Sequence, residues 1–281
     1  MPPVSFDRAA EYYDTTRGYA DGSAERIRDA IVAYTDAGRA TRFLELGVGT
    51  GRIALPFIRA GYDYTGVDIS PAMMARLSGK LAGDTGTAYR FQLRQANITA
   101  LPFEAARFDV IIAVHVLHLV EDWQRAIQEA QRVLRPGGWL LCGSDEAPGE
   151  DASSADLSLP APLRVRRKWW ELRRELGLGR PDGRSNLRGR DTQLIEYLRA
   201  SGATTDTVTL AQFETPAISA RAMADRVKAR VFSADWNTAD AAHAVMSRQL
   251  DDWLAQSIDA PDAPVPIAGE FMAITATWST K

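Results

Sequence analysis

Residues 43–51 read FLELGVGTG, an apolar run that ends in the alternate glycines Gly47, Gly49 and Gly51, with the acid Glu45 just before them. Without a Cβ the chain can turn sharply there and lie against a ligand where a side chain would collide. The following segment, Arg52 to Ala60 (RIALPFIRA), reads as a short helix. Its free N–H groups and positive dipole end point back at the turn, a geometry suited to an anionic group such as a carboxylate or pyrophosphate. A dinucleotide fingerprint G-x-G-x-x-G wants glycine or alanine at its sixth position, and counted from Gly47 that position is Arg52. The fit to a nicotinamide cofactor is therefore poor. Downstream, Tyr62 to Val67 (YDYTGV) reads as a second strand that ends at Asp68, about twenty residues past the turn, where a carboxylate can accept hydrogen bonds from both ribose hydroxyls.

Outward from this turn, strand and helix patterns alternate. A helix over Ser23 to Ala37 precedes the strand Arg42 to Leu46. A helix over Pro71 to Leu81 leads to strands Tyr89 to Gln95 and Phe108 to Val114, then to a helix over Asp122 to Leu134 and a strand over Trp139 to Gly143. This alternation is that of a doubly wound, mostly parallel α/β sheet. The Asp122 helix has the clearest pattern. Trp123, Ala126, Ile127, Ala130, Val133 and Leu134 share a face, Asp122 can cap the start, and Pro136-Gly137-Gly138 reads as the stop.

The motifs together resemble the class I S-adenosylmethionine (SAM) dependent methyltransferases, and among them the small-molecule group called type 11. ELGVGTG resembles the first motif of that family and GVDIS (Gly66 to Ser70) the second. FDVIIAVHVLHLV (Phe108 to Val120) resembles the fourth strand and its loop, RVLRPGGWLL (Arg132 to Leu141) the approach to the fifth strand, and FDRAAEYYDTTRG (Phe6 to Gly18) the N-terminal cap. The matches run from Phe6 to about Gly143, half the chain, and five motifs in order are far more specific than one glycine turn. The resemblance implies a seven-stranded Rossmann-like sheet with a helical lid, SAM as cofactor and S-adenosylhomocysteine as product.

Carried onto this chain, the resemblance places Gly47, Gly49 and Gly51 under the methionine part of SAM, with Glu45 orienting the turn. Asp68 would hold the ribose, and Ile69 and Met73 would pack near the adenine. The family often has an acid after the third strand; here QANIT puts Asn97 in its place, and Asn97 and Ile98 are expected as adenine contacts through an uncharged amide oxygen. Tyr13 and Arg17 fall on the cap motif Y-D-x-x-R, the tyrosine near the methyl end and the arginine near the carboxylate. Val114 ends the fourth strand beside the cofactor. His115 and His118 follow it directly. Ligands of open parallel sheets sit outside such strand ends, and an imidazole there can accept a proton from a hydroxyl or amine. The resemblance leaves a second role open, since histidines are common here in relatives that use them only to pack or to hydrogen bond SAM. His243 reads as structural.

Composition places the chain among ordinary globular proteins. Its 281 residues are 46% hydrophobic and 25% charged, enough for one good core and an extra subdomain. A net charge of -3 gives no overall pull toward nucleic acid. No apolar run approaches the roughly eighteen residues of a membrane span, and MPPVSFDRAAEYYD lacks the order of a signal peptide, so a cytoplasmic protein is expected. Cys142 is the single cysteine, which excludes an internal disulfide and a cysteine-rich zinc site, and no metal cluster is visible. There is no Asn/Asp-Pro-Pro-aromatic run after the fourth strand, against amino methylation of adenine in DNA, and no proline before Cys142, against a covalent cytosine mechanism.

Five segments are expected: a core with its cap over 1–143, a helical lid over 144–203, a core strand over 204–215, a second helical lid over 216–262 and a closing strand over 263–281, antiparallel beside the fifth. Between Arg164 and Arg190 basic residues far outnumber the acids Glu171, Glu175 and Asp182. That run reads either as a solvated helix face or, with Trp169 and Trp170 interleaved, as a surface for an acidic substrate, a carrier protein or RNA. Trp170 or Trp236 is a candidate lining for an acceptor pocket. The expected function is methyl transfer to O, N or C of a small-molecule acceptor by a monomer or homodimer. Two other classes stay open: a SAM-binding regulatory protein without catalysis, and an NAD(P)-dependent oxidoreductase.

Overall fold

The computed structural model describes residues 6–84, 88–146, 153–178 and 187–279. Seven strands, β1 (Arg42–Leu46), β2 (Asp63–Asp68), β3 (Phe91–Gln95), β4 (Phe108–Val114), β5 (Leu134–Glu146), β6 (Thr204–Glu214) and β7 (Ala268–Thr277), form one sheet in the order β3-β2-β1-β4-β5-β7-β6. The pairs β1·β2, β1·β4, β2·β3 and β4·β5 are parallel. The strand β7 runs the other way. Gly137 at the start of β5 donates to the carbonyl of Trp278, while Gly143 further along β5 abuts Phe271, so residue numbers rise on one strand as they fall on the other. The order reverses between β1 and β4, and ligands of such sheets sit in the crevice outside the strand ends at that point.

The central strands are apolar at nearly every position because both faces of the sheet are covered. Side chains alternate between two cores. Leu44, Leu46, Ile111 and Ala113 pack on one face with Ala126, Ile127, Ala130 and Val133 of α5 (Trp123–Val133). Phe43, Val110 and Ile112 pack on the other with Ile27 and Ile31 of α2 (Ser23–Tyr34), Phe57 of α3 (Ala54–Arg59) and Leu77 of α4 (Pro71–Ala82). Two caps fix where helices start. The Ser70 hydroxyl accepts the Met73 N–H ahead of α4, and the Asp122 carboxylate accepts the Arg125 N–H ahead of α5.

By compactness the chain divides into two units, the first comprising 1–145, 190–213 and 270–281, the second 146–189 and 214–269. This differs from the segmentation expected above. The helix α7 (Leu187–Ala200), read as part of an insertion ending at 203, has Leu194 and Leu198 buried in the same core as α5, so the chain rejoins the sheet unit from residue 190. A second difference concerns Pro136-Gly137-Gly138. Here β5 begins at Leu134, immediately after α5, and the irregularity appears as a register shift between Phe108 and Val110 on its neighbour. At Gly138 a Cβ would stand 2.7 Å from the Asp109 carbonyl, which is why glycine is needed within the strand.

In the second unit α6 (Ala161–Glu175), α8 (Ala220–Lys228) and α9 (Asp240–Ser257) bury Leu163, Val165, Trp169 and Leu172 against Met223, Val227, Met246 and Leu250. The basic run on α6 is turned to partners inside this unit. Arg164 bonds the carbonyls of Ser154 and Ser257, Arg166 lies over the Phe232 ring, and Arg173 is buried on Asp235 and Thr238. Arg164, Arg166, Arg167 and Lys168 are half-buried and Arg174 is exposed; the continuation of the run over 179–186 lies outside the described residues. Among the described residues no helix is long and apolar enough to cross a membrane.

Candidate functional site

The glycine turn leaves β1 in a conformation that side chains resist, with φ of +73° at Gly47, +54° at Gly49 and +85° at Gly51. Space excludes larger residues as well: a Cβ would stand 2.6 Å from Val116 at Gly47 and 2.4 Å from Leu77 at Gly51. The turn is tied to the end of β2, where the carbonyl of Val67 accepts the N–H groups of Gly47 and Val48 at 2.8 and 3.0 Å. One residue on, the Asp68 carboxylate accepts Gly49 N–H through one oxygen and Ser70 N–H through the other, both at 2.8 Å. Burial raises the pKa of Asp68, and the N–H donors of Ser70 and Gly49 oppose that rise. A carboxylate has roughly four acceptor positions, so two such bonds leave room for a further donor on each oxygen.

A recess of about 290 Å³, including its mouth, opens above the turn and is lined by Tyr13, Glu45, Gly47, Gly49, Thr50, Arg52 and Val114, among others. Glu45 is 3% exposed and accepts the Tyr64 hydroxyl at 2.8 Å; burial pushes its pKa up to about 8, against the opposing effects of that hydrogen bond and of Arg52. The N-terminal segment reaches the same place. In α1 (Tyr13–Arg17), Asp14 accepts the Thr50 hydroxyl at 2.6 Å and pairs with Lys80 at 2.7 Å, while Asp7 accepts the Ser70 hydroxyl. The carbonyl of Arg17 accepts from Arg52 at 3.3 Å. Met73 is buried with its methyl group 3.4 Å from where a Gly49 Cβ would stand, and the carbonyl of Ile69 accepts from Gln95.

Asn97 and Ile98 follow Ala96, whose N–H donates to the Asp68 carbonyl at 3.0 Å, so they continue from the end of β3 beside Asp68. The Asn97 amide oxygen accepts the Thr99 N–H at 3.0 Å, closing a local turn at an exposed position, and the Ile98 side chain is buried in the core shared with α5. Neither lines the recess. His115 follows β4 with φ of +51°, a left-handed conformation that costs a non-glycine residue roughly 1 to 2 kcal/mol. His118 sits in a short 3-10 turn, its ring 6.4 Å from that of His115.

Beside His115 lie Arg52 and two residues that sequence alone does not single out, Tyr19 and Asp145. The Asp145 carboxylate, at the end of β5, accepts the Tyr19 hydroxyl at 2.6 Å, pairs with the Arg52 guanidinium, and stands 3.3 Å from His115 Nε2. Arg52 also lies over the Tyr19 ring, 4.6 Å from its centroid. Burial opposes the charge on Asp145, but Arg52, His115 and Tyr19 outweigh it and hold the carboxyl well below the usual range. The fingerprint mismatch at Arg52 thus marks the anchor of this cluster. The only local signal for Asp145 was an acid just past an apolar strand, at a strand end where such sheets hold ligands. His243 is buried in the second unit against the Trp169 ring. There Trp236 donates to the carbonyl of Arg230, and Arg173 lies over the ring of Trp170.

The family description "Methyltransferase domain" matches residues 44–142, which span the glycine turn, Asp68 and the β4 end. Residues 44–142 belong to the type 11 methyltransferase family. The sheet is the class I, Rossmann-like one. Among curated proteins, the chain is 33% identical over 147 residues to a malonyl-[acyl-carrier protein] O-methyltransferase of Enterobacter lignolyticus, covering 50% of this chain and 54% of that protein. It is 38% identical over 140 residues to a ubiquinone/menaquinone biosynthesis C-methyltransferase of Syntrophotalea carbinolica, covering 48% and 57%. The matched stretch thus spans little more than half of these relatives. Among solved structures, a putative methyltransferase from an antibiotic biosynthesis pathway of Anabaena variabilis shares the fold, with a TM-score of 0.59 at 12% identity, over 91% of this chain and 100% of that one.

Proposed function

We propose that this chain transfers the methyl group of SAM to a small-molecule acceptor at O, N or C. The observation that carries this reading is the bond between Asp68 and Gly49, which sets an acceptor for ribose hydroxyls against a turn of three positive-φ glycines. The residues present suit the cofactor. Gly47, Gly49 and Gly51 leave bare backbone in the recess for the methionine part, with Tyr13 and Arg52 at its wall and Glu45 at its floor. Asp68 holds the ribose, Ile69 and Met73 flank the adenine, Val114 closes the strand side, and Arg17 faces the carboxylate from the cap. The Asn97 amide oxygen takes the Thr99 N–H on one acceptor position and keeps the other for the adenine amino group.

When bound, SAM supplies a sulfonium methyl that is already a strong electrophile. The protein therefore has to align the acceptor, exclude water and, where the acceptor carries a proton, remove it. His115, one residue beyond Val114, is the group placed to take that proton. The relatives named above are an O- and a C-methyltransferase, so likeness to them does not choose the acceptor atom.

The test is release of S-adenosylhomocysteine from SAM across a panel of hydroxyl, amine, carboxylic acid and activated-carbon acceptors. Turnover with one class supports the reading. Tight SAM binding without release from any class favours a regulatory SAM-binding protein instead.

A further inference from the structure

The His115 ring is held at one edge and open at the other. Nε2 stands 3.3 Å from Asp145 Oδ2 and 3.2 Å from the Asp145 backbone N–H, while Nδ1 has no hydrogen-bond partner among the described residues. The imidazole side chain is 35% exposed, whereas Asp145 and Arg52 are each only 15% exposed. Two donors besides His115 converge on the carboxylate, the Tyr19 hydroxyl on one oxygen and the Arg52 guanidinium on the other, so its position is fixed from three sides. His115 itself sits in strained backbone, and strain of this kind persists where surrounding structure over-determines it and is concentrated at functional sites.

Nε2 accepts the Asp145 N–H, and Asp145 Oδ2 stands 3.3 Å from the same nitrogen as an ion-pair contact, so two neutral tautomers compete, with opposite consequences. If Nε2 accepts the Asp145 N–H, the ring proton lies on Nδ1, and the open edge is only a donor. If the Nε2–H donates to the carboxylate, the open edge carries a lone pair and is a base. Resting on the methyltransferase reading above, we propose that Asp145 is the positioning residue of His115, selecting the Nε2–H tautomer, and that the acceptor is accordingly a hydroxyl or ammonium compound that loses a proton on methylation. A carboxylate acceptor has no such proton and needs no base. In the hydroxyl case the acceptor O–H bond breaks with its proton passing to Nδ1, and an O–CH3 bond forms. The C–S bond breaks with its electron pair left on sulfur, and the imidazolium then returns the proton to water. The imidazolium that forms keeps its Nε2–H on an ionised partner, the arrangement that favours proton transfer in His–carboxylate pairs.

The experiment is an imidazole 15N correlation spectrum of the full chain in alkaline buffer, without acceptor, for wild type and for Asp145→Asn and Asp145→Glu. Wild type is expected to show His115 in the Nε2–H form, Asp145→Asn to lose that preference and Asp145→Glu to keep it. A wild-type ring protonated on Nδ1 overturns the proposal, and this spectrum decides even if Asp145→Asn fails to fold. Calorimetry with S-adenosylhomocysteine on the same wild-type sample tests the methyltransferase reading separately. If a panel acceptor turns over, Asp145→Asn is expected to lower kcat by at least about tenfold, with KM for SAM nearly unchanged and partial recovery in Asp145→Glu. Turnover only on carboxylic acids, unaffected by Asp145→Asn, overturns the acceptor class.

Discussion

The Asp68 carboxylate accepts the Gly49 backbone N–H at 2.8 Å, joining the end of β2 to the middle of the glycine turn. Two features that are separate in sequence are therefore one device. The carboxylate both shapes the turn and faces the ligand.

Replacing Asp68 with Ala removes an acceptor from two backbone donors, Gly49 and Ser70, as well as from the ribose. A hydrogen bond to a charged group is worth about 1.5 to 3 kcal/mol, so SAM binding should weaken by roughly 10- to 100-fold. Thermal stability should fall with it, because the turn loses its tie. Calorimetric titration and a melting curve measure both; unchanged affinity would remove Asp68 from the ribose site.

Gly47 and Gly49 should respond differently to Ala. At Gly47 the new Cβ meets Val116 Cγ2 at 2.6 Å and Cβ at 2.9 Å, whereas at Gly49 the nearest atom is the flexible Met73 methyl at 3.4 Å. Both carry the positive-φ penalty, and only Gly47→Ala adds an overlap with a branched side chain. Gly47→Ala should cost about 1 to 3 kcal/mol more, partly recovered by Val116→Ala. Equal losses at the two positions, read from denaturant midpoints, would contradict this.

Glu45 gives a pH dependence with a definite sign. Its pKa rises from 4.5 to about 8 on folding, mainly by burial, so between those values the folded state binds more protons than the unfolded one. The stability this contributes is full below 4.5 and is lost as pH rises through about 8. Glu45→Gln, neutral throughout, should flatten that decline. Urea unfolding of wild type and variant across this range is the check, and parallel curves would show that Glu45 does not hold its proton.

Within the second unit the Arg173–Asp235 pair is almost wholly buried, its side chains 4% and 2% exposed, and Asp235 also accepts from Trp169. Asp235→Ala removes a buried carboxylate from the Arg173 guanidinium and from the Trp169 indole N–H, a loss of about 3 to 5 kcal/mol. Hydrogen exchange should show α6, α8 and α9 opening together. Protection equal to wild type in those helices would contradict the assignment.

The parts legible in the sequence were those with local causes. The strands Arg42–Leu46 and Phe108–Val114 match their expected bounds because burial on both faces makes them mostly apolar runs. Tyr19, Asp145 and their bond were not legible, since that contact spans 126 positions and leaves no periodic trace. The same holds for α7, whose polar composition hid the stripe of Leu194 and Leu198 that returns it to the sheet. The basic residues of α6 looked like a surface because charge is visible in sequence and partners such as Asp235 are not.

Titration of the purified chain with S-adenosylhomocysteine by calorimetry, with NADH as the control, tests the seat of the glycine turn most directly. Saturable binding of one equivalent of S-adenosylhomocysteine, abolished in Gly47→Ala, and no heat with NADH are expected. Binding of NADH with none of S-adenosylhomocysteine would contradict the assignment of this site.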